Sequence, residues 1–138
     1  MIARRLLVFA LIFSAAAPAF AQTPSPARRI SGTIPVPDDR ARQWLVLVDD
    51  KNYGQSWGES GAAFKAKQNA QAWAADAGNR RGPLGAVASR GLKSIDLSRN
   101  NTAIVRYDTV FARKAAAVET ITLNFENGGW AVVDYSVN

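Results

Sequence analysis

Residues 118–137, VETITLNFENGGWAVVDYSV, have the pattern of two β-strands joined by a tight turn. Asn127-Gly128-Gly129 provides residues that tolerate positive φ, as short hairpin turns require. Apolar residues alternate with more polar ones before the turn, at Ile121, Leu123 and Phe125. One face of that strand is therefore buried. We predict a hairpin of strands over 118–126 and 130–137.

The alternation continues upstream, in a strand predicted over 102–112. Its apolar positions are Ala103, Val105, Tyr107, Thr109 and Phe111. A polar turn at 98–101 separates it from a first strand over 84–97. Four successive strands with one apolar face predict an antiparallel meander covered on one side.

Helical periodicity dominates the segment before the strands. Apolar residues with spacing i, i+3, i+4, i+7 occur at Ala41, Trp44, Leu45 and Val48. They predict a helix over 38–50, with Asp38 or Asp39 as its N-terminal cap. Glycines limit residues 53–64 to short helical turns. Asn69 is placed to cap a further helix over 70–77, which Gly78 and Asn79 would end.

Helices followed by an antiparallel meander predict an α+β fold. The N-terminal helices would pack on one face of a curved four-stranded antiparallel sheet, forming a cone. Residues 38–138 have a length suited to a single domain.

The N-terminus has the features of a signal peptide over residues 1–21. Arg4 and Arg5 precede an apolar run that is too short to cross a bilayer, so no transmembrane anchor is expected in the mature form. Cleavage is predicted between Ala21 and Gln22, which delivers the protein to the periplasm or the medium. The Pro-rich residues 22–37 are expected to form a flexible linker.

Composition excludes several kinds of chemistry. The whole sequence has no His and no Cys, which removes Ser-His triads, Cys nucleophiles and imidazole or thiolate metal sites. It has no nucleotide-binding motif, so no cofactor is expected. Removing Arg4 and Arg5 with the signal peptide lowers the net charge from +6 to +4. The remaining basic residues are scattered, which disfavours nucleic acid as a partner.

Several short segments, in order, resemble a known bacterial family. They are residues 41–49 (ARQWLVLVD), Tyr53 with Ser56-Trp57, Gly82-Pro83-Leu84-Gly85, residues 118–123 (VETITL) and Gly129-Trp130. Together they are similar to the exported family known as domain of unknown function 4019. The resemblance implies a cystatin-like or nuclear-transport-factor-like fold and assigns no catalytic residue. Within that superfamily, fold alone does not choose between enzymes and binding modules.

Glu119 is the main candidate for chemistry, because it shares strand parity with Ile121 and Leu123. Burial would raise the pKa of its carboxyl unless Lys114, Arg113 or a strand neighbour pairs with it. It is either a pocket acid, base or ligand anchor, or a paired or rim carboxylate with a structural role.

Other candidates come from the aromatic and charged residues. Tyr107 is placed either to offer its phenol hydroxyl to the pocket at Glu119 or to bond a core partner. Trp57 and Trp73 either line a ligand cavity or fill the core. Arg90 and Arg106 are expected on the exposed face of their strands. The orientation of Asp134 does not follow from the pattern.

Three classes of function remain open. The first is a non-catalytic module of the cell envelope that holds a small apolar ligand, or that dimerises or binds a protein through its sheet. The second is a cofactor-free isomerase or lyase with Glu119 as base and Tyr107 as hydrogen-bond donor. The third is a support for an envelope complex, displayed through the linker.

Overall fold

The computed structural model describes residues 36–138, so the predicted signal peptide and most of the predicted linker lie outside the described residues. Helices precede strands, as predicted. The helices are α1 (Pro37–Asp49), α2 (Tyr53–Gly58), α3 (Ala62–Lys67), α4 (Ala70–Arg81) and a 3₁₀ turn (Gly82–Leu84); the strands are β1 (Val87–Arg99), β2 (Thr102–Phe111), β3 (Lys114–Glu126) and β4 (Gly129–Val137). Within this part of the chain, no helix is long and apolar enough to span a membrane.

The apolar face predicted for α1 is confirmed. Its buried positions include Ala41, Trp44, Leu45 and Val48. The predicted cap is wrong: Val36 precedes the helix, and no side chain caps it. Pro37 occupies the first helical position, where its missing N–H costs nothing. Asp38 and Asp39 therefore fall in the first turn, where their charge complements the helix dipole.

The second long helix, α4, begins as predicted and ends later. The side chain of Asn69 caps it, because its Oδ1 accepts a hydrogen bond from the amide of Ala72 at 2.8 Å. Gly78 does not end the helix: a glycine at a helix end usually adopts a positive φ, and the φ of Gly78 is not positive. The helix continues to Arg81, and an ion pair between Arg80 and Asp76 (2.9 Å) spans its last turns.

The four strands form the predicted antiparallel meander, in the order β1-β2-β3-β4. The β3–β4 hairpin is confirmed, with φ of 51° at Asn127 and 80° at Gly128. The third strand begins at Lys114 and not at 118, because Lys114 pairs with Phe111 immediately across a short turn. Pairing with β2 overrides the weak strand preference of the alanine run that follows Lys114.

Aromatic side chains fill the space between the helices and the sheet. The rings of Trp44 and Trp73 lie 5.5 Å apart, and Phe64 packs edge-on against Trp73 at 4.9 Å. Tyr135 of β4 contacts the same cluster, at 5.5 Å from Trp44. The centre of the cone is thus occupied by the protein's own side chains.

Gly61 allows the connection between α2 and α3 to approach β4 closely. Its amide donates to the carbonyl of Val132 at 2.7 Å. A Cβ on Gly61 would lie 2.8 Å from Glu126 Oε1 and 3.0 Å from Val133 Cγ1. A larger residue here would push the short helices away from the sheet.

The helices leave part of β1 uncovered. Leu92 and Ile95 lie opposite Tyr107 and Val105 in the register, so they share the inner face of the sheet. They are nevertheless 43% and 36% exposed, and Leu97 further along the strand is 58% exposed.

Candidate functional site

Glu119 is completely buried, and both of its carboxylate oxygens are occupied. Oε1 accepts hydrogen bonds from the hydroxyl of Tyr135 (2.8 Å) and from Nη1 of Arg81 (3.3 Å). Oε2 accepts from the hydroxyl of Thr109 and from Nε of Arg90, each at 2.7 Å. Since a carboxylate offers about four lone-pair positions, this one has none left for another donor.

Asp49, at the end of α1, is the second carboxylate of the same cluster. Arg90 binds it with two donors, Nη1 to Oδ2 at 2.7 Å and Nη2 to Oδ1 at 3.0 Å. Nη2 of Arg81 donates to Oδ1 at 2.5 Å. We call Asp49, Arg81, Arg90 and Glu119 the four-charge network. Its two cations and two anions balance, so its net charge is zero.

Each member of the network comes from a different element: α1, α4, β1 and β3. The side chains of Arg81 and Arg90 are 7% and 12% exposed, and that of Asp49 is 25% exposed. Buried ions are tolerated when they are paired and hydrogen-bonded, and removal of one partner leaves an uncompensated charge. The arrangement therefore fixes four elements to one another at this end of the fold.

Burial and charge shift the pKa values of groups in and beside the network. Burial opposes ionisation of Asp49, but hydrogen bonds from Arg90 and Arg81 outweigh it and hold the pKa of this carboxyl below its usual value. Burial, reinforced by the charge of Glu119, raises the pKa of the Tyr135 phenol. Tyr135 is therefore a neutral hydrogen-bond donor at physiological pH.

The structure corrects two expectations about charged residues. Arg90 does not lie on the exposed face: it pairs with the buried Thr109 on the inner face, where Asp49 and Glu119 bind its guanidinium. The partners of Glu119 are Arg81 and Arg90, not Arg113 or Lys114. Thr109 and Glu119, both polar at inward positions of adjacent strands, were the sequence signal for a buried polar cluster.

Tyr107 lies next to Glu119 in the sheet but bonds elsewhere. Its hydroxyl contacts the carboxylate of Asp38 and, at 3.3 Å, the carbonyl of the same residue. The guanidinium of Arg42 lies 5.4 Å from the ring centroid. Burial, together with the hydrogen bond to Asp38, raises the pKa of Tyr107. The two candidates therefore do not converge on one point.

The candidate tryptophans lie apart from the network's charged groups. Trp73 is 1% exposed, and its indole N–H donates to Ser56 Oγ at 2.9 Å. Trp57 is half-buried; its indole N–H donates to the carbonyl of Gln68 at 2.8 Å, and Lys65 Nζ lies 5.3 Å from the ring. Trp73 is a core residue, and Trp57 packs against the core from its margin.

Asp134 and Arg106 have no part in this cluster. Asp134 is exposed, with Lys67 Nζ at 3.3 Å from its carboxylate. A bulge in β4 places Val133, as an extra residue, between the pairs Thr122–Asp134 and Leu123–Val132. The bulge changes the alternation of the strand, which explains why the sequence pattern did not determine the orientation of Asp134. Arg106 is half-buried and pairs with Thr120 in the register.

An open cleft of about 620 Å³ lies beside the network, a volume in the range typical of small-ligand sites. We call it the end cleft. It is lined by Val48, Asp49, Lys51, Tyr53, Arg81, Gly82, Gly85, Ala86, Val87 and Arg113. Gly85, with φ of 77°, forms the turn from the 3₁₀ helix into β1. The sequence did not indicate this cleft, because its wall combines three separate segments of the chain.

None of Glu119, Tyr107, Trp57 and Trp73 lines the end cleft. Among residues 36–138, no group of three or more acidic, His or Cys side chains is arranged to hold a metal ion.

Comparison with known proteins supports the fold and the family. The family described as "Protein of unknown function (DUF4019)" matches residues 40–135. A Campylobacter jejuni protein, provisionally described as an NTF2-like transpeptidase, is similar in structure with a TM-score of 0.53 and 13% identity. The match covers 70% of this chain and 95% of that protein. No curated protein sequence matches significantly. The predicted α+β cone and the family resemblance are confirmed.

Proposed function

This chain belongs to the DUF4019 family of NTF2-like fold, and we propose that it is a non-catalytic, small-ligand-binding module of the cell envelope. The ligand would lie in the end cleft. The family description specifies no activity, and a likeness of 13% identity carries the fold only.

The state of Glu119 is the observation that carries a non-catalytic role. A general base must accept a proton from the substrate, yet all four acceptor positions of this carboxylate are taken by protein donors. Glu119 is also fully buried and lies outside the end cleft wall. A structural role for Glu119 is therefore favoured over the isomerase or lyase alternative.

The end cleft supports the ligand-binding role. The aromatic core occupies the centre of the cone, so the open volume lies at its end. Tyr53 and Val87, both partly exposed, offer apolar surface on the cleft wall, which suits the apolar part of a ligand.

The envelope location rests on the predicted signal peptide. Export would separate residues 22–138 from the leader, and the first residue of the mature protein would be Gln22. N-terminal sequencing of the protein recovered from a periplasmic fraction tests this location. Recovery of the uncleaved chain from the cytoplasm would overturn it.

Ligand binding in the end cleft can be tested by NMR with a fragment panel containing neutral, cationic and anionic compounds. Bound fragments should perturb the amides of Val48, Tyr53 and Val87 in residues 22–138. Ala86→Trp should block these shifts, because Ala86 is an exposed residue of the cleft wall. Ala88→Trp, also exposed but off the wall, should leave them intact. The proposal fails if no fragment shifts these amides, or if Ala86→Trp changes nothing.

A second candidate is self-association through the uncovered part of β1. The exposed Leu92, Ile95 and Leu97 favour it, because clustered apolar side chains on an edge strand commonly mark contact surfaces. Sedimentation should then show a dimer that Leu97→Glu dissociates. Val110→Glu, an exposed position on β2 that pairs with Ser89 of β1, is the control. A monomer at all concentrations would exclude this candidate.

A further inference from the structure

Two cations on the wall of the end cleft, Lys51 and Arg113, have no acidic partner within residues 36–138. The acidic residue on the wall, Asp49, already binds Arg81 and Arg90. Asp50 follows it in sequence but does not line the cleft. Because the four-charge network is neutral, Lys51 and Arg113 give the wall two uncompensated positive charges.

We propose that the end cleft binds the carboxylate or phosphate group of a small amphipathic molecule, with Lys51 and Arg113 as its charged contacts. This inference rests on the proposed function and specifies its ligand class. The apolar part of the ligand would lie along Tyr53 and Val87. This ligand class adds a charged group to the small apolar ligand expected from the sequence.

Arg113 is held at the cleft wall with most of its donors unused. Its amide donates to the carbonyl of Leu84 at 2.9 Å, and its Nη1 donates to the carbonyl of Gly82 at 3.3 Å. A guanidinium has five N–H donors, whose planar arrangement matches carboxylate and phosphate oxygens. Its remaining donors make no other hydrogen bond within residues 36–138, so they are available to an anion.

Lys51 occupies a backbone position that favours glycine. Its φ is 62°, in the turn that ends α1, where Asn52 N bonds Leu47 O (2.8 Å) and Lys51 N bonds Val48 O (3.1 Å). Helices ending in this way usually carry glycine at the left-handed position, because a side chain there is strained. Strain retained at a cleft wall is consistent with a role for the ammonium group.

Titration of residues 22–138 with succinate and with inorganic phosphate tests the anion site. The readout is the amide shifts of the cleft residues. Lys51→Gln and Arg113→Gln should each weaken binding about threefold to tenfold, and added salt should weaken it further. Lys93→Gln removes the same charge from an exposed ion pair outside the cleft and should leave binding unchanged. Tighter binding of succinate or of phosphate would identify which of the two groups the cleft prefers.

Lys51→Gly separates binding from folding. Relief of backbone strain should raise Tm by about 4 °C, while loss of the ammonium group should weaken succinate and phosphate binding as much as Lys51→Gln does. A more stable protein with weaker anion binding supports the proposal. Unchanged anion affinity in Lys51→Gly and Arg113→Gln overturns it.

The neutral compound succinamide distinguishes failure of this inference from failure of the proposed function. If succinamide or the neutral fragments perturb the cleft amides as strongly as the anions do, the cleft binds ligands without anion selectivity. The anion inference then fails and the proposed function stands. If no compound perturbs these amides, both fail.

Discussion

Glu119 and Tyr107 face each other directly across the pairing of β3 with β2, yet they bond to different parts of the molecule. Tyr107 donates to Asp38 in the first turn of α1. Glu119 binds Arg81 and Arg90, and both of these arginines bind Asp49 at the opposite end of that helix. Adjacent strand positions thus serve two separate contacts along α1, and this separation explains why the two residues do not form one catalytic pair.

Glu119→Gln should destabilise the protein by about 3–5 kcal/mol, because it leaves Arg81 and Arg90 with a single carboxylate in a buried site. Urea unfolding of residues 22–138 measures the effect. Asp134→Asn is the control, since this exposed carboxylate should contribute less than about 0.5 kcal/mol. Equal stability of the two variants would contradict the role assigned to the four-charge network.

The network should also make stability depend on acid pH. The pKa of Asp49 is lower in the folded protein than its unfolded value of about 3.9, so ionised Asp49 stabilises the fold above that pH. This contribution is lost as pH falls through the folded pKa. The difference in Tm between wild type and Asp49→Asn should therefore stay constant above about pH 5 and narrow as the pH falls further, past about pH 4. A difference in Tm that does not change as the pH falls would contradict the stabilising role of ionised Asp49.

Two phenols should resist ionisation at alkaline pH. In denaturant all three tyrosines should form tyrosinate near about pH 10. In the folded protein Tyr107 and Tyr135 should retain their protons to higher pH, because burial raises the pKa of both. Each raised pKa favours the protonated fold, so stability falls as pH rises past the unfolded value.

Tyrosinate absorbance during an alkaline titration measures the number of delayed phenols. Tyr107→Phe and Tyr135→Phe should each remove one of them. Coincident titration curves for the folded and denatured protein would contradict the burial of both hydroxyl groups.

Gly61→Ala should lower the free energy of unfolding by about 1–3 kcal/mol, since its Cβ would overlap Glu126 and Val133. Gly58→Ala provides the matched control, because nothing lies within 4 Å of a Cβ there. As a helical position, Gly58 should gain up to about 1 kcal/mol from alanine. Thermal unfolding of both variants checks the difference, and a similar Tm for the two would be inconsistent with close contact at Gly61.

The helices and the hairpin could be predicted because their signals are local. The i, i+3, i+4, i+7 spacing of Ala41, Trp44, Leu45 and Val48 identifies the buried face of α1. Asn127-Gly128 identifies the turn between β3 and β4. The face of the sheet on which a side chain lies could not be predicted where one extra residue enters a strand. The bulge at Val133 reverses the parity before Asp134, and sequence alternation does not reveal such an insertion. The expectation for Arg90 followed from its long charged side chain, and the buried carboxylates that bind it come from distant segments.

The candidate site was predictable only in part. The parity of β3 correctly indicated that Glu119 is buried, because its own strand determines that direction. Its partners Arg81 and Arg90 come from α4 and β1, which approach it only in the folded molecule. The cleft wall depends in the same way on Lys51 and Arg113, more than sixty positions apart in the chain.

The four-charge network has a consequence for native-state fluctuations. The elements α1, α4, β1 and β3 each contribute one charged group. Partial opening of any one of them would therefore leave buried charged groups on the other three without their ion-pair partner. Amide hydrogens beside Asp49, Arg81 and Arg90 should therefore exchange with solvent through the same large opening event. A cleft bordered by such a unit is preorganised. Ligand binding would therefore cost little entropy for ordering the protein side chains of the cleft wall.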